Sequence, residues 1–115
     1  MATIEECRAA LEKLSDNMLH AEGDVRTAAE LDRSVSCWIT DLDTTFVGRM
    51  TGGRIVVHDT LQGPPPEKAQ IRLTMTGDDL VGLVDGELHF AKAWGSGRVK
   101  LQASLRDLLV LRKLL

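Results

Sequence analysis

Short runs of alternating apolar and polar residues constrain this 115-residue chain more than any other feature of its sequence. Alternation with a period of two predicts β-strands that have one apolar face. The predicted inward-facing sets are Val35, Cys37 and Ile39; Phe46, Gly48 and Met50; Ile55 and Val57; Ile71, Leu73 and Met75; and Val99, Leu101 and Ala103. A sheet built from such strands has an apolar face that other elements must cover.

Turn signals separate these predicted strands. The pair Gly52-Gly53 between two alternating runs is typical of a β-hairpin. Asp41 and Asp43 are spaced like the start of a calcium loop, but the glycine and the final glutamate of that motif are absent, which favours a turn between strands. Residues 60–66 are predicted to form a loop, because proline lacks the N–H group that a central strand donates.

The N-terminal segment predicts one amphipathic helix. Thr3 and Glu6 have the spacing of a capping box, and apolar residues then recur at gaps of three and four. The apolar positions are Ile4, Cys7, Leu11, Leu14 and Met18. The helix is expected to end before Gly23, and residues 24–33 fit either a further helical turn or a linker.

Three further helical segments follow the predicted fourth strand. Residues 78–85 form an acidic-capped apolar helix that stops at Gly86, and residues 88–94 form a second apolar piece. The terminal segment 105–115 has more apolar residues than an ordinary surface helix, so it must be buried by the core, by a ligand or by a partner. Its seven leucines and valines are at positions 105, 108, 109, 110, 111, 114 and 115.

These patterns together predict a single α+β domain over residues 1–115. Its architecture is expected to be two layers, with a five-stranded, mainly antiparallel sheet that carries its helices on one face. No opening signal peptide and no apolar run long enough to span a bilayer are recognised, so a cytoplasmic protein is expected.

Charge argues against a nucleic-acid-binding function. The formal net charge is −3, whereas nucleic-acid-binding domains are usually basic. The segment 98–115 holds five basic residues against one acid, a net charge of +4, so the rest of the chain carries −7. This basic end either complements the terminal helix and a solvated sheet face or makes transient contact with an anionic membrane or partner.

No catalytic or metal-binding constellation stands out in the sequence. His20, His58 and His89 have no Cys, His or carboxylate at ligand spacing, and Cys7 and Cys37 fit inward positions as small apolar side chains. Ser96 has no plausible base nearby in the sequence pattern. We therefore expect no cofactor, no metal and no enzymatic activity.

One continuous run resembles a known family. Gly86-Glu87-Leu88, followed by the stretch from Ala93 through Ser96 and Gly97 to Leu101, resembles the sterol carrier protein 2 family. Looser similarity reaches back to about Arg33. Two departures are a family glycine replaced by Ala103, and an ending in Lys113-Leu114-Leu115 in place of the Ser-Lys-Leu type of peroxisomal signal. The resemblance implies a five-stranded sheet whose helices enclose an apolar tunnel.

The leading functional hypothesis is therefore a non-catalytic carrier of a hydrophobic ligand, such as a sterol, fatty acyl group, phospholipid or quinone. The predicted ligand-binding residues are Phe46, Met50, Leu73, Met75, Leu80, Leu83, Val84, Trp94, Leu101, Leu105, Leu108 and Leu109. One alternative is a protein–protein module, such as a homodimer formed through the apolar terminal helix. Another is an accessory factor in the biosynthesis of a hydrophobic metabolite.

Overall fold

The computed structural model describes residues 2–19, 32–52 and 54–114, with side chains at 17–19, 90–91 and 110–114 outside that description. The helices are α1 (Ile4–Leu19), α2 (Gly77–Asp85), α3 (Phe90–Gly95) and α4 (Leu105–Leu114). The strands are β1 (Arg33–Ile39), β2 (Thr44–Thr51), β3 (Arg54–Gln62), β4 (Ile71–Met75) and β5 (Lys100–Gln102). The predicted end of the first helix before Gly23, and Gly53 of the predicted hairpin, lie outside the described residues.

The described strands form one sheet in the order β3-β2-β1-β4-β5. β1 pairs antiparallel with β2, as β2 does with β3 and β4 with β5. β1 and β4 are parallel, with Val35 opposite Ile71 and Ile39 opposite Met75. The predicted α+β class and mainly antiparallel sheet are confirmed, and the parallel central pair makes the sheet mixed.

β3 is longer than the sequence predicts. The sequence pattern places residues 60–62 in the loop, but their ladder with β2 continues until Gln62 lies opposite Thr44, so that part of the prediction is wrong. The first residue after β3 that lacks a backbone N–H group is Pro64. Because β3 lies at the edge of the sheet, it can end there without breaking hydrogen bonds to a strand on its other side. β5 is shorter than predicted: it includes only Lys100–Gln102, and Val99 and Ala103 lie just outside it.

The connection between β3 and β4 crosses the face of the sheet opposite the helices. Because β3 and β4 run in the same direction, the chain must return along the sheet while it passes β2 and β1. The distance is about 20 Å, from three strand spacings of ~4.8 Å and four residues of ~3.3 Å. The loop is secured at both ends, since Thr45 Oγ1 donates to the carbonyl of Gly63 (2.7 Å) and the backbone N–H of Gln70 donates to Ser34 Oγ (2.9 Å).

α1 begins with the predicted capping box. The backbone N–H of Glu6 donates to Thr3 Oγ1 (3.1 Å), and the backbone N–H of Thr3 donates to Glu6 Oε1 (3.2 Å). Cys7 and Leu11 are buried on the predicted apolar stripe. Ser15 Oγ accepts from the backbone N–H of Ile55 (3.0 Å), which joins the helix to β3.

α2 is held at its N-terminus by three side chains. Thr76 Oγ1 accepts from the backbone N–H of Asp79 (3.2 Å) as its N-cap, and Asp41 Oδ1 accepts from the backbone N–H of Gly77 (2.9 Å). Asp78 Oδ1 accepts from the backbone N–H of Ala2 (2.7 Å), so the first turns of α1 and α2 are tied together. The predicted turn containing Asp41 therefore also positions a helix.

We expect Gly77→Ala to destabilise the fold, because a Cβ at this position would lie 3.0 Å from Cys7 Sγ and 3.2 Å from Ala2 Cβ. Overpacking of this kind costs about 1–3 kcal/mol. The matched control is Gly82→Ala in the same helix, where the added Cβ meets Leu88 Cβ at an ordinary 3.5 Å. Gly82→Ala should raise the free energy of unfolding by up to ~1 kcal/mol through helix propensity. Chemical denaturation of both variants checks the pair, and equal effects would contradict the packing argument.

The apolar inner face as a candidate ligand-binding site

The inner face is the side of the sheet on which α1 and α2 pack. Two buried apolar clusters lie along it among the described residues. The first cluster includes Cys7, Ala10, Leu11, Cys37, Ile39, Phe46, Met75, Leu80, Val84, Ala93 and Val99. The second cluster consists of Val35, Met50, Ile71 and Leu101. The strand registers place the first cluster near the end of β1 and the second near its beginning.

Leu73 on β4 connects the two clusters. It is only partly buried, and it packs against both of them. Leu83 packs in the same partly buried way against the first cluster, and Leu108 against the second. Apolar side chains that are neither fully buried nor exposed are the ones that an apolar ligand could still cover.

The predicted ligand-binding residues divide into three groups by burial. Phe46, Met50, Met75, Leu80, Val84 and Leu101 are buried in the two clusters, and Leu73, Leu83 and Leu108 are partly buried. Trp94, Leu105 and Leu109 are exposed. Ile55 and Ala103, partly buried against the second cluster, were not among the predicted ligand-binding residues, although the strand pattern already placed both facing inward.

The orientation of α4 differs from the prediction, which placed Leu105 and Leu109 inward. Asp107 is the buried residue of the first turn, and its Oδ2 accepts from Arg33 Nε at 3.0 Å. Ser104 Oγ caps the helix by accepting from the backbone N–H of Asp107 (3.2 Å). With Asp107 held against β1, Leu108 faces the second cluster, while Leu105 and Leu109 are 76% and 58% exposed.

The run that carries the family resemblance has structural roles. Gly86 and Gly97 adopt φ angles of 81° and 83°, which L side chains rarely adopt. Ala93 and Val99 are fully buried in the first cluster, and the backbone N–H of Val99 donates to the carbonyl of Ala93 (3.2 Å). The guanidinium of Arg98 pairs with the buried carboxylate of Asp79 in α2. The run therefore fixes α3 and the approach to β5 against the core.

A basic side chain lies at the margin of the inner face. Arg8 Nη2 donates to Thr60 Oγ1 (3.1 Å), and its guanidinium carbon is 6.0 Å from the centre of the Phe46 ring. A groove of about 560 Å³ lies beside it, between α1 and β3. Its lining includes Glu12, His58 and Asp59, so it is more polar than the clusters beneath the helices.

Both cysteines lie in the first cluster as free thiols, as predicted for small apolar side chains. Burial, together with smaller contributions from the nearby Asp41, Glu6 and Asp78 carboxylates, raises the pKa of Cys7 to about 11. Burial, together with a smaller contribution from Cys7, likewise raises the pKa of Cys37 to about 12. Neither thiol is therefore a nucleophile at neutral pH.

Within residues 2–19, 32–52 and 54–114, no group of three or more His, Cys, Asp or Glu side chains is arranged to hold a metal ion. None of the helices in this part of the chain is long and apolar enough to cross a bilayer.

A two-layer α+β domain with an apolar face beneath its helices is a fold that solved structures share. The sterol carrier protein domain 2 of Helicoverpa armigera is 15% identical, with a TM-score of 0.64, over 98% of this chain and 89% of its own. A ubiquinone synthesis protein, UbiJ-SCP2, is 16% identical, with a TM-score of 0.56, over 99% of this chain and 92% of its own. The chain therefore has the sterol carrier protein 2 fold, and the resemblance of residues 86–101 is confirmed for the fold.

The same fold also occurs within a larger enzyme. A sec-alkyl sulfatase is 19% identical to this chain, with a TM-score of 0.63, over 99% of the chain. The chain spans only 16% of the length of that sulfatase. No protein-family model matches the sequence, and no curated protein is significantly similar to it.

We expect Asp107→Asn to loosen α4, because it leaves the half-buried Arg33 guanidinium without its anionic partner. Breaking one side of a buried charge-assisted hydrogen bond costs ~1–3 kcal/mol, and amide hydrogen exchange in α4 should rise more than in α1. The control is Asp85→Asn, which removes an exposed pair with Lys13 (3.0 Å) and should change stability by less than ~1 kcal/mol. Equal exchange in both variants would show that the Arg33–Asp107 pair does not hold the helix.

The raised thiol pKa values predict slow labelling of the folded protein by a disulfide reagent at pH 8, with both thiols reacting once denaturant is added. The unfolded thiols ionise near pH 9, whereas the folded ones stay protonated to about pH 11 and 12. Their stabilising contribution is thus complete below about pH 9 and is lost as pH rises through the folded values. A variant with Cys7→Ala and Cys37→Ala should lose less stability between pH 9 and 11. Fast labelling of either thiol in the folded chain would contradict the burial argument.

Proposed function

We propose that this chain is a non-catalytic binding domain for a hydrophobic molecule, held between the inner face of the sheet and the helices. The observation that carries the proposal is the fold, which is shared over nearly the whole chain with a protein named as a sterol carrier and with a ubiquinone synthesis protein. Those names point to a sterol or a quinone, both largely apolar molecules. Carriage of such a molecule needs an apolar surface and no reactive group.

The binding position that best fits the contacts is the partly buried surface around Leu73. It lies between the two clusters, with Leu83 and Leu108 as further partly buried apolar side chains. The driving force would be desolvation, since ~300 Å² of apolar ligand surface at ~25 cal/mol per Å² offers about 7 kcal/mol before the cost of association. In this arrangement the buried residues of the two clusters support the surface that touches the ligand.

α4 supplies the route by which an apolar molecule would enter. Leu105 and Leu109, one helical turn apart, present exposed apolar surface beside the exposed Arg106. Leucines next to basic side chains suit a transient contact with an anionic membrane surface. The same exposed pair also favours a second candidate function, in which α4 packs against another copy of the chain.

We expect Leu73→Phe to weaken binding of a fluorescent fatty acid about tenfold, because the larger ring would fill the space that the ligand needs. The matched control is Leu61→Phe on the opposite face of the edge strand β3, which should leave affinity unchanged. Melting curves for both variants separate blocked binding from a weakened fold. Equal affinities for Leu73→Phe and the unmodified chain would rule out the surface around Leu73.

Replacement of Leu105 and Leu109 by serine distinguishes the two candidate functions. Both side chains are exposed, so the double variant should fold with nearly unchanged stability. If α4 guides lipid entry, transfer from anionic vesicles slows while the mass in solution stays constant. A dimer that dissociates in the variant, with fatty-acid binding absent throughout, would favour the interaction module instead.

A further inference from the structure

The outer face of the sheet, opposite the helices, carries a second feature that the apolar-carrier function does not use. Ser36 on β1 is only 1% exposed, because the loop of residues 63–70 between β3 and β4, here called the crossing loop, covers it. Beneath that loop lie two adjoining hollows of about 490 and 260 Å³, both lined by Ser36, Pro66, Glu67 and Lys68. We call the larger hollow the outer groove.

Three hydrogen-bonding atoms on residues that line the outer groove have no partner among the described residues. They are Ser36 Oγ, Trp38 Nε1 and Arg72 Nε, and each of these atoms is buried. A buried polar group that lacks a partner is energetically unfavourable, so three on residues around one groove are an unusual concentration. All three side chains line this hollow, so a single bound group could satisfy them together.

The strand registers explain how the three groups come together. Ser36 on β1 lies directly opposite Arg72 on the parallel strand β4, and Trp38 is two residues further along β1 on the same face. Gln102 on β5 lies opposite Arg72 in turn and also lines the groove. The site is thus built on three neighbouring strands, from the central strand β1 through β4 to the edge strand β5, which give the ligand a rigid base.

The chemistry of these groups selects the ligand. The indole N–H and the guanidinium are donors only, and the hydroxyl can donate as well. Arg72 and Lys68 bring two positive charges to the groove against one negative charge from Glu67. We infer that the outer groove binds a small oxyanion, a carboxylate or a phosphate, whose oxygens accept from Ser36, Trp38 and Arg72.

The crossing loop provides the remaining wall of this site. Pro64, Pro65 and Pro66 line the groove on the side away from the sheet, so the body of the ligand would pack between proline rings and the Trp38 indole. Proline has little conformational freedom to lose, which favours a preformed groove over one that closes on its ligand. An oxyanion that is free in solution and one that belongs to a lipid headgroup present the same oxygen atoms to the three donors.

The test follows the indole N–H signals by NMR. The chain has two tryptophans, so two indole signals are expected, and Trp38→Phe assigns them. Titration with inorganic phosphate or acetate, at ionic strength held constant with chloride, should shift the Trp38 signal in a saturable way and leave Trp94 unmoved. An unmoved Trp38 signal would overturn the site and show that ordered water satisfies the donors.

Matched variants then assign the anion contact. Arg72→Gln should weaken the apparent affinity about tenfold, as expected for loss of a charge-assisted hydrogen bond, and Ser36→Ala should weaken it less. The control is Arg49→Gln, which also removes one positive charge from the outer face of the sheet. Arg49 is on β2, where it pairs with Asp32 outside the groove. Equal effects of Arg72→Gln and Arg49→Gln would overturn the proposal in favour of general electrostatic attraction.

Vesicles containing phosphatidic acid distinguish the two sources. If Arg72→Gln abolishes vesicle binding that Arg49→Gln preserves, the oxyanion is a lipid headgroup. If the protein binds phosphate or acetate but does not bind the vesicles, the oxyanion is a free metabolite. Fatty-acid binding at the inner face should be the same in all of these variants. The experiments can therefore contradict the proposed anion site without contradicting the proposed carrier function, and the reverse also holds.

Discussion

The parallel pairing of β1 with β4 is the constraint on which the rest of the structure depends. It makes β1 the central strand, with the β1–β2–β3 meander on one side and β4 and β5 on the other. It also forces the β3–β4 connection to travel back across two strands. The helices occupy one face, so the loop from Gly63 to Gln70 occupies the other. The β1–β4 pairing therefore explains why helices cover the inner face of the sheet and the crossing loop covers the outer face.

The two covers have different physical characters, and the difference can be read from the strands. On the inner face, alternate residues such as Cys37 and Ile39 are apolar, so burial beneath helices is favourable without specific partners. On the outer face, Ser36 and Arg72 are polar, so burial beneath the loop is unfavourable unless a partner is supplied. The inner face is thus explained by packing alone, whereas the outer face requires a bound group or ordered water.

Most of the architecture follows from local patterns, because period-two alternation and the Thr3–Glu6 capping box are properties of adjacent residues. What the sequence could not show depends on long-range pairing. The extension of β3 to Gln62 requires the β2 ladder, and the burial of Ser36 requires the crossing loop. The helical pattern placed Leu105 and Leu109 inward, because it counts apolar residues and cannot anticipate that the Asp107 carboxylate reaches Arg33. For the candidate site, six of the twelve predicted side chains are buried, three partly buried and three exposed.

Most residues of the run 86–101, which carries the family resemblance, have structural roles. Gly86 and Gly97 make turns, Ala93 and Val99 fill the core, and Arg98 neutralises the buried Asp79. Residues with such roles are needed whatever the protein binds, so they identify the architecture and carry little information about a ligand. If the chain binds a ligand as proposed, ligand choice must depend on positions that folding leaves partly free. The positions proposed for this role are the half-buried Leu73, Leu83 and Leu108 on the inner face, and the polar groups beneath the prolines on the outer face.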